Sequence, residues 1–381
     1  MEIRDFNLRH LRAAVETARR GSIIGAADAV SLTQPAVTQA LARLERLLSV
    51  QLFERRHDGV SATPAAAIFL PRVETALAHI ASPRITMAQV RALTAFAKAG
   101  SYVGAATQTG LAQPSLHRAV NDLAVVLKRP VLERRGKGLA LTEAGRRTVR
   151  AFRLALAELE TGLSELESLK GRETGRITVG AMPLSRARVL PHAINAFLRT
   201  HPDIRIRVVE GSWTELIEPL RDGEIDLMIG ALRDPPPGGD VVQAALFEDE
   251  PVVIGRKGHP LAGSSPSLDD LAACAWIVSG PGTPLRQQWE RMFARLPALP
   301  AVPVECGSVI AIRELLLGSD ALTLLSPDQL RVELNSNWLE VICTAPERLT
   351  RTIGITTRTG WRPSVRQAEF LALLDQVAQS G

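Results

Sequence analysis

Cysteine is scarce. The 381 residues hold three, Cys274, Cys306 and Cys343, far apart and with no CxxC pair. That usage fits a reducing compartment, with buried inert thiols favoured over a redox switch. No Cys or His cluster has the spacing of metal ligands, so no metal and no cofactor is expected. No apolar run approaches the roughly 18 residues that a membrane span requires. The opening stretch MEIRDFNLRHLR is charged and lacks a signal-peptide core, so a cytoplasmic location is expected, with no membrane partner. The motifs of a P-loop, HExxH and GxSxG are absent, and SGPGTP at 279–284 is too weak to imply phosphate binding, so an enzyme is not expected.

What is present is apolar residue in quantity, 46%, enough for a sizeable core over two or three domains. The charge is lopsided. Residues 1–170 carry 24 Lys and Arg against 15 Asp and Glu, and residues 171–381 carry 21 against 25. A basic N-terminal part joined to a mildly acidic remainder suggests a nucleic-acid-binding portion with a separate partner domain.

The N-terminal part is duplicated. Shifted by 79 residues, Gly21-Ser22 meets Gly100-Ser101, Gln34-Pro35 meets Gln113-Pro114, and Glu54-Arg55-Arg56 meets Glu133-Arg134-Arg135. The register holds over about 55 positions without a gap. In the first copy LRHLRAAVETARR has helical spacing and stops at Gly21. Ser22 can cap a short second helix, and Thr33 a longer third one opening on Gln34-Pro35, where proline costs no hydrogen bond. Two helices about a tight turn form a helix-turn-helix, and VQLFERRHDGVSAT alternates about a turn at Asp58-Gly59 like a small β-wing. The start of the third helix then points to a major groove. Gln34, Val37, Thr38 and Gln39 are the candidates for base edges in the first copy, and Gln113, Ser115, Leu116, His117 and Arg118 in the second. Arg55, Arg56, Arg134 and Arg135 would neutralise phosphates. A helical bundle with a solvated basic face is the bland alternative.

The segment resembles the winged helix-turn-helix of LysR-type transcriptional regulators. Ala26-Ala27, Gln34-Pro35-Ala36-Val37-Thr38, Leu44-Glu45 and Gln51-Leu52-Phe53-Glu54-Arg55 carry the resemblance in the first copy. Ala105-Ala106, Gln113-Pro114-Ser115-Leu116, Leu132-Glu133-Arg134 and Leu141-Thr142-Glu143-Ala144-Gly145 carry it in the second. The family usually has one such module, so this chain looks like a tandem variant. Its copies depart at Thr63-Pro64-Ala65-Ala66, where Thr-Glu-Ala-Gly is usual, at Ala112, where a capping hydroxyl is usual, and at Ala124, which replaces Glu45.

A long helix follows from Thr142. Val149, Phe152, Leu156, Leu159, Leu163 and Leu166 form a heptad seam, which reads as a dimer coiled coil or as a stripe packed on its own domain. Ala66, Leu70, Val73, Leu77 and Ile80 echo it in the first copy, with Pro71 expected to kink that helix. Beyond Arg176, strand-like runs alternate with helical ones, which implies open, mostly parallel α/β sheets. The match of residues 186–230 to the family's effector-binding region implies two α/β lobes like a periplasmic binding protein, with a flavour near regulators of protocatechuate catabolism and of sugar-binding-protein expression. Laid on this chain, that resemblance implies a cleft lined by Met182, Pro183, Leu184, Ser185, Ser212, Trp213, Ala231, Leu232, Arg233, Gly282, Thr283 and Ser308.

The expected architecture is multidomain: two all-α-rich winged helix-turn-helix modules (1–82 with a short linker helix, and 83–143), a linker and dimerisation helix (144–170), and a two-lobed α/β effector-binding domain (171–381). Its lobe I would span about 175–246 with 345–381, and lobe II about 247–344. The function implied is sequence-specific transcriptional regulation of a catabolic or transport operon, switched by a small molecule. The partners implied are promoter or operator double-stranded DNA, an anionic or aromatic metabolite, RNA polymerase, and further copies of the chain in a homodimer or homotetramer. The alternative is a cytoplasmic small-molecule-binding protein or α/β enzyme with a DNA-organising N-terminal part.

Overall fold

The computed structural model describes residues 3–57, 59–136, 138–172, 174–345 and 349–380. The wing-turn residue Asp58 lies outside them. The chain forms two compact units, residues 1–175 with 222–224, and residues 176–221 with 225–381.

In the first unit, α1 (Leu8–Arg20), α2 (Ile23–Ala29) and α3 (Gln34–Leu48) precede a hairpin of β1 (Phe53–Arg56) and β2 (Gly59–Ala62), and α4 (Pro64–Ile80) follows. Then the same series returns: α5 (Met87–Ala99), α6 (Tyr102–Thr109), α7 (Gln113–Leu127), β3 (Leu132–Arg135), β4 (Gly138–Leu141) and α8 (Glu143–Leu169). Each of these elements in the second series starts 79 residues after its counterpart in the first. The local causes repeat as well. Gly21 and Gly100 end α1 and α5 in the left-handed conformation, at φ 63° and 70°. The Ser22 and Ser101 hydroxyls accept from Gly25 N and Gly104 N. Thr33 caps α3, whereas Ala112 gives α7 no side-chain cap. Glu45 reaches out of α3 to accept from Leu52 N and Phe53 N at 2.8 and 3.1 Å, pinning the helix to the wing. Ala124, its counterpart, has no such reach.

The helix α4 runs through Pro71 without a break and packs along α8. Phe69, Val73, Ala76 and Ile80 of α4 are buried in one continuous core with Val149, Phe152, Ala155, Leu159 and Leu166 of α8. Gly162 lets the helices close up, since a Cβ there would stand 3.0 Å from Phe69 Cδ2 and 3.1 Å from Arg72 Cβ. The pair is antiparallel. Lys170, just past the end of α8, donates to Leu48 O at 2.8 Å, and nearby Gln51 O receives the Thr63 hydroxyl at the start of α4. Within the chain the first copy supplies a matching stripe that covers Val149, Phe152, Leu159 and Leu166 of the heptad seam, while Leu156 and Leu163 stay half-buried. Each large side chain so buried contributes about 1.5–3 kcal/mol.

In the second unit, β5 (Arg176–Ala181), α9 (Val189–Thr200), β6 (Arg205–Glu210), α10 (Trp213–Arg221), β7 (Leu227–Ala231) and β8 (Val241–Asp249) build most of a five-stranded sheet. The chain then makes a second layer: β9 (Val252–Arg256), α11 (Leu268–Ala272), β10 (Ile277–Val278), α12 (Pro284–Met292), β11 (Val304–Glu305), α13 (Val309–Leu317), β12 (Thr323–Leu325), α14 (Arg331–Asn335) and β13 (Leu339–Thr344). It returns through β14 (Arg351–Arg358) and ends in α15 (Val365–Gln379). The large sheet has the order β6-β5-β7-β14-β8, and β12-β9-β13 form a separate three-stranded sheet.

The large sheet is mixed and the three-stranded one antiparallel, so the expectation of mostly parallel sheets is corrected. Helical crossovers make β6-β5-β7 parallel, but β14 is antiparallel to both β7 and β8, and β9 is antiparallel to both its neighbours. The reason is the double passage between sheets. The strand that leaves and the strand that returns enter without a helical crossover, and only such crossovers enforce parallel pairing. At the passage, Arg351 Nε binds the buried Asp249 at 2.7 Å. Arg188, before α9, binds Asp328 of the second layer, also at 2.7 Å.

Candidate nucleic-acid interface and effector cleft

The start of α3 presents Gln34 and Gln39 to solvent, with Thr38 half-buried and its hydroxyl bonded back to Gln34 O at 3.0 Å. Val37 does not join them. It is 0% exposed and lies in the core with Leu41 and Leu44. The counterpart in α7 behaves alike: Gln113, Ser115, His117 and Arg118 are exposed, while Leu116 is 1% exposed. Val37 and Leu116 are corrected from base-edge candidates to core, because each sits four residues before the next buried large residue of the same helix face. Around them, the N-terminal turn offers donors and acceptors beside an exposed proline, Pro35 or Pro114. His117 packs its ring 5.2 Å from buried Tyr102, and its Nδ1 lies 3.1 Å from Asn121 Nδ2.

The paired arginines sit on the hairpins. Arg55 opposes Val60 and Arg56 opposes Gly59, and Arg134 and Arg135 oppose Leu139 and Gly138 in the same register. All four are exposed. The structure adds Arg43 and Arg46, exposed one and two turns beyond Gln39. Their spacing of four and seven residues from Gln39 is the signal in the sequence that could have found them. The second copy has Asp122 and Val125 at the equivalent places, so its basic face is shorter.

In the second unit, the carboxyl ends of β5, β6 and β7 bring Met182, Trp213 and Arg233 together. Met182 N donates to Ile229 O, and Gly211 N donates to Ala181 O. The Arg233 guanidinium lies over the Trp213 ring at 5.3 Å. Its backbone is clasped on both sides by the Gln243 amide at 2.9 Å. Burial lowers the Arg233 pKa. Ala231 and Leu232 are half-buried, and Pro183 opens the turn that follows β5. Leu184 and Ser185 are buried; Ser185 returns its hydroxyl to Met182 O at 2.8 Å, so it has no donor left for a ligand. Ser212 bonds Glu215 through both its N–H and its hydroxyl.

Thr283 and Ser308 stand apart from these, beyond the carboxyl ends of the parallel pair β10–β11. Thr283 caps α12, with its hydroxyl 2.8 Å from Ser279 Oγ, and Gly282 precedes it at φ 76°. Ser308 caps α13. A cavity of about 830 Å³ opens elsewhere in the second layer, lined by His259, Leu261, Cys274, Pro303, Leu315 and Asp320. The three cysteines are free, and burial raises the thiol pKa of Cys274 and Cys343. Among the described residues no helix is long and apolar enough to cross a membrane, and no cluster could hold a metal ion.

Comparison with known proteins agrees with this layout. Residues 170–379 match the LysR substrate binding domain, and residues 8–67 and again 87–146 match the bacterial regulatory helix-turn-helix of the lysR family. The chain is 32% identical to the HTH-type transcriptional regulator GalR of Pseudomonas putida over 97% of each chain. It is 27% identical to the SDS degradation transcriptional activation protein of a Pseudomonas strain, over 71% of this chain and 90% of that one. A full-length single-residue variant of OxyR from Pseudomonas aeruginosa shares the fold at a TM-score of 0.55 and 22% identity, covering 77% of this chain and 98% of that one. A matched helix-turn-helix ahead of a matched substrate-binding domain, with a relative of this identity along nearly its full length, makes the chain a member of the LysR family: a DNA-binding transcriptional regulator with a small-molecule-responsive domain, not an enzyme.

Proposed function

We propose that this regulator is a tandem variant in which both winged helix-turn-helix modules contact DNA. The observation that carries this is the equivalence of the two solvent-facing constellations. Gln34, Thr38, Gln39, Arg55 and Arg56 recur at the same places of the fold as Gln113, His117, Arg118, Arg134 and Arg135. A spacer would have no need of paired arginines on an exposed hairpin. The match to GalR of Pseudomonas putida runs over 97% of both chains, so both modules of this chain fall within the aligned length. The test is a footprint of wild type beside Gln34→Ala with Thr38→Ala, and beside Gln113→Ala with Arg118→Ala. Both pairs should alter the protection. If one pair is silent and the protected length equals that of a one-module regulator, the other copy is architectural.

The effector reading places an anionic, aromatic-compatible metabolite between the two lobes of the C-terminal unit, with Arg233 on Trp213 as its charged anchor and Thr283 and Ser308 offering helix N-termini. The gene set controlled would serve the breakdown or uptake of that metabolite. Association into a homodimer or homotetramer, and contact with RNA polymerase at the promoter, complete the reading.

A further inference from the structure

Each module grips its own long helix through the same joint. Thr63 N and Oγ1 donate to Leu52 O and Gln51 O, and Thr142 N and Oγ1 donate to Val131 O and Pro130 O. These are equivalent residues under the 79-residue repeat. Two like bodies fixed by like joints to an antiparallel helix pair are related by an approximate twofold. Ala76 and Ala155, counterparts in the repeat, are both buried along this pair. Thus α3 and α7 are presented as a pair by one chain.

The helix pair is also built to be unlike. Arg72, 7% exposed in its side chain, lies between Glu158 at 3.2 Å and Glu165 at 2.7 Å. The counterpart of Arg72 is Ala151, and the counterparts of the two glutamates are His79 and Thr86. Pairing α8 with the α8 of another chain would set the half-buried Glu158 and Glu165 against alanine and take this cation from them, which is unfavourable. The pairing of α4 with α8 brings all three charges together. Residues 81–86 are the whole connection between α4 and the second module, which keeps the partners within one chain.

We infer that a single chain reads a complete bipartite duplex site whose two half-sites differ in sequence, with the α4–α8 pair in the place of a contact between chains. This rests on the reading that both modules touch DNA. The half-sites differ because α3 offers Thr38 and Gln39 where α7 offers His117 and Arg118, and Gln favours adenine while Arg favours guanine. The experiment is selection of duplexes from a random library by the full-length chain, repeated with Gln34→Ala/Thr38→Ala and with Gln113→Ala/Arg118→Ala. The expected motif has two unlike halves, and each variant pair flattens base preference in one half only, weakening that duplex by about tenfold. A palindrome in which both variant pairs affect both halves would overturn the inference while leaving two-module contact intact. One silent pair would overturn two-module contact itself, and the inference with it.

Discussion

Glu45 is a residue whose two backbone contacts exist in one copy and not in the other. Glu45→Ala should strip the Leu52 and Phe53 N–H groups of a charged acceptor and cost about 1.5–3 kcal/mol, seen as an earlier urea midpoint for the N-terminal unit. The reverse gain is available at Ala112. Ala112→Thr restores the missing cap of α7 and should stabilise by about 1 kcal/mol, with unchanged helix content by circular dichroism. Such caps are legible in sequence because they depend on residues three apart. The burial of Val37 and Leu116 is legible too. Their spacing to Leu41 and Leu44, and to Val120 and Leu123, marks the buried stripe, and this outranks a contact with a thymine methyl. Asp226 is not legible, since its burial depends on strands distant in sequence. Burial raises its carboxyl pKa in spite of the Thr178 N–H bond and the Arg358 charge. The fold therefore favours the protonated form. Its contribution is greatest below the ordinary carboxylate value of about 3.9 and is lost as pH rises through the raised folded value. Asp226→Asn should flatten the fall of stability over that window in a pH series of thermal melts.

At the scale of elements, a heptad seam states that a helix has a partner but not which one. The periodicity of α8 marks a packing stripe. Its partner is identified only by the fold, in which α4, with Pro71 inside it, is continuous and complementary. Leu159→Glu is thus expected to leave the mass of the assembly unchanged by light scattering while lowering the melting temperature of the N-terminal unit, because a fully buried leucine is replaced by a charge inside the chain. Arg72→Ala should cost about 1.5–3 kcal/mol by taking the cation from two half-buried glutamates. Adding Glu158→Leu and Glu165→Leu should recover most of it, and failure to recover would mean that Arg72 acts through packing alone. The sheets show the other side of legibility. The runs around β5 and β7 announce buried strands, but the antiparallel entry of β14 is a property of the chain's return path, which no local pattern encodes.

For the molecule, the duplicated wings set the strength of electrostatic attachment. Each phosphate-contacting arginine removed should lower the slope of log affinity against log salt by about 0.9. Replacing Arg55, Arg56, Arg134 and Arg135 together by alanine should therefore reduce that slope by more than either pair alone, as measured by fluorescence anisotropy across a salt series. In the C-terminal unit, Arg233→Ala with Thr283→Val should weaken effector binding in calorimetry and leave basal duplex affinity unchanged. The α4–α8 pair bears on dose. Readers assembled from two chains dissociate on dilution, and their occupancy of a site falls with a higher power of concentration. Helices that find each other inside one polypeptide obey no such mass action. Both recognition helices remain mounted however few copies are present, so occupancy of a bipartite site should follow the first power of protein concentration.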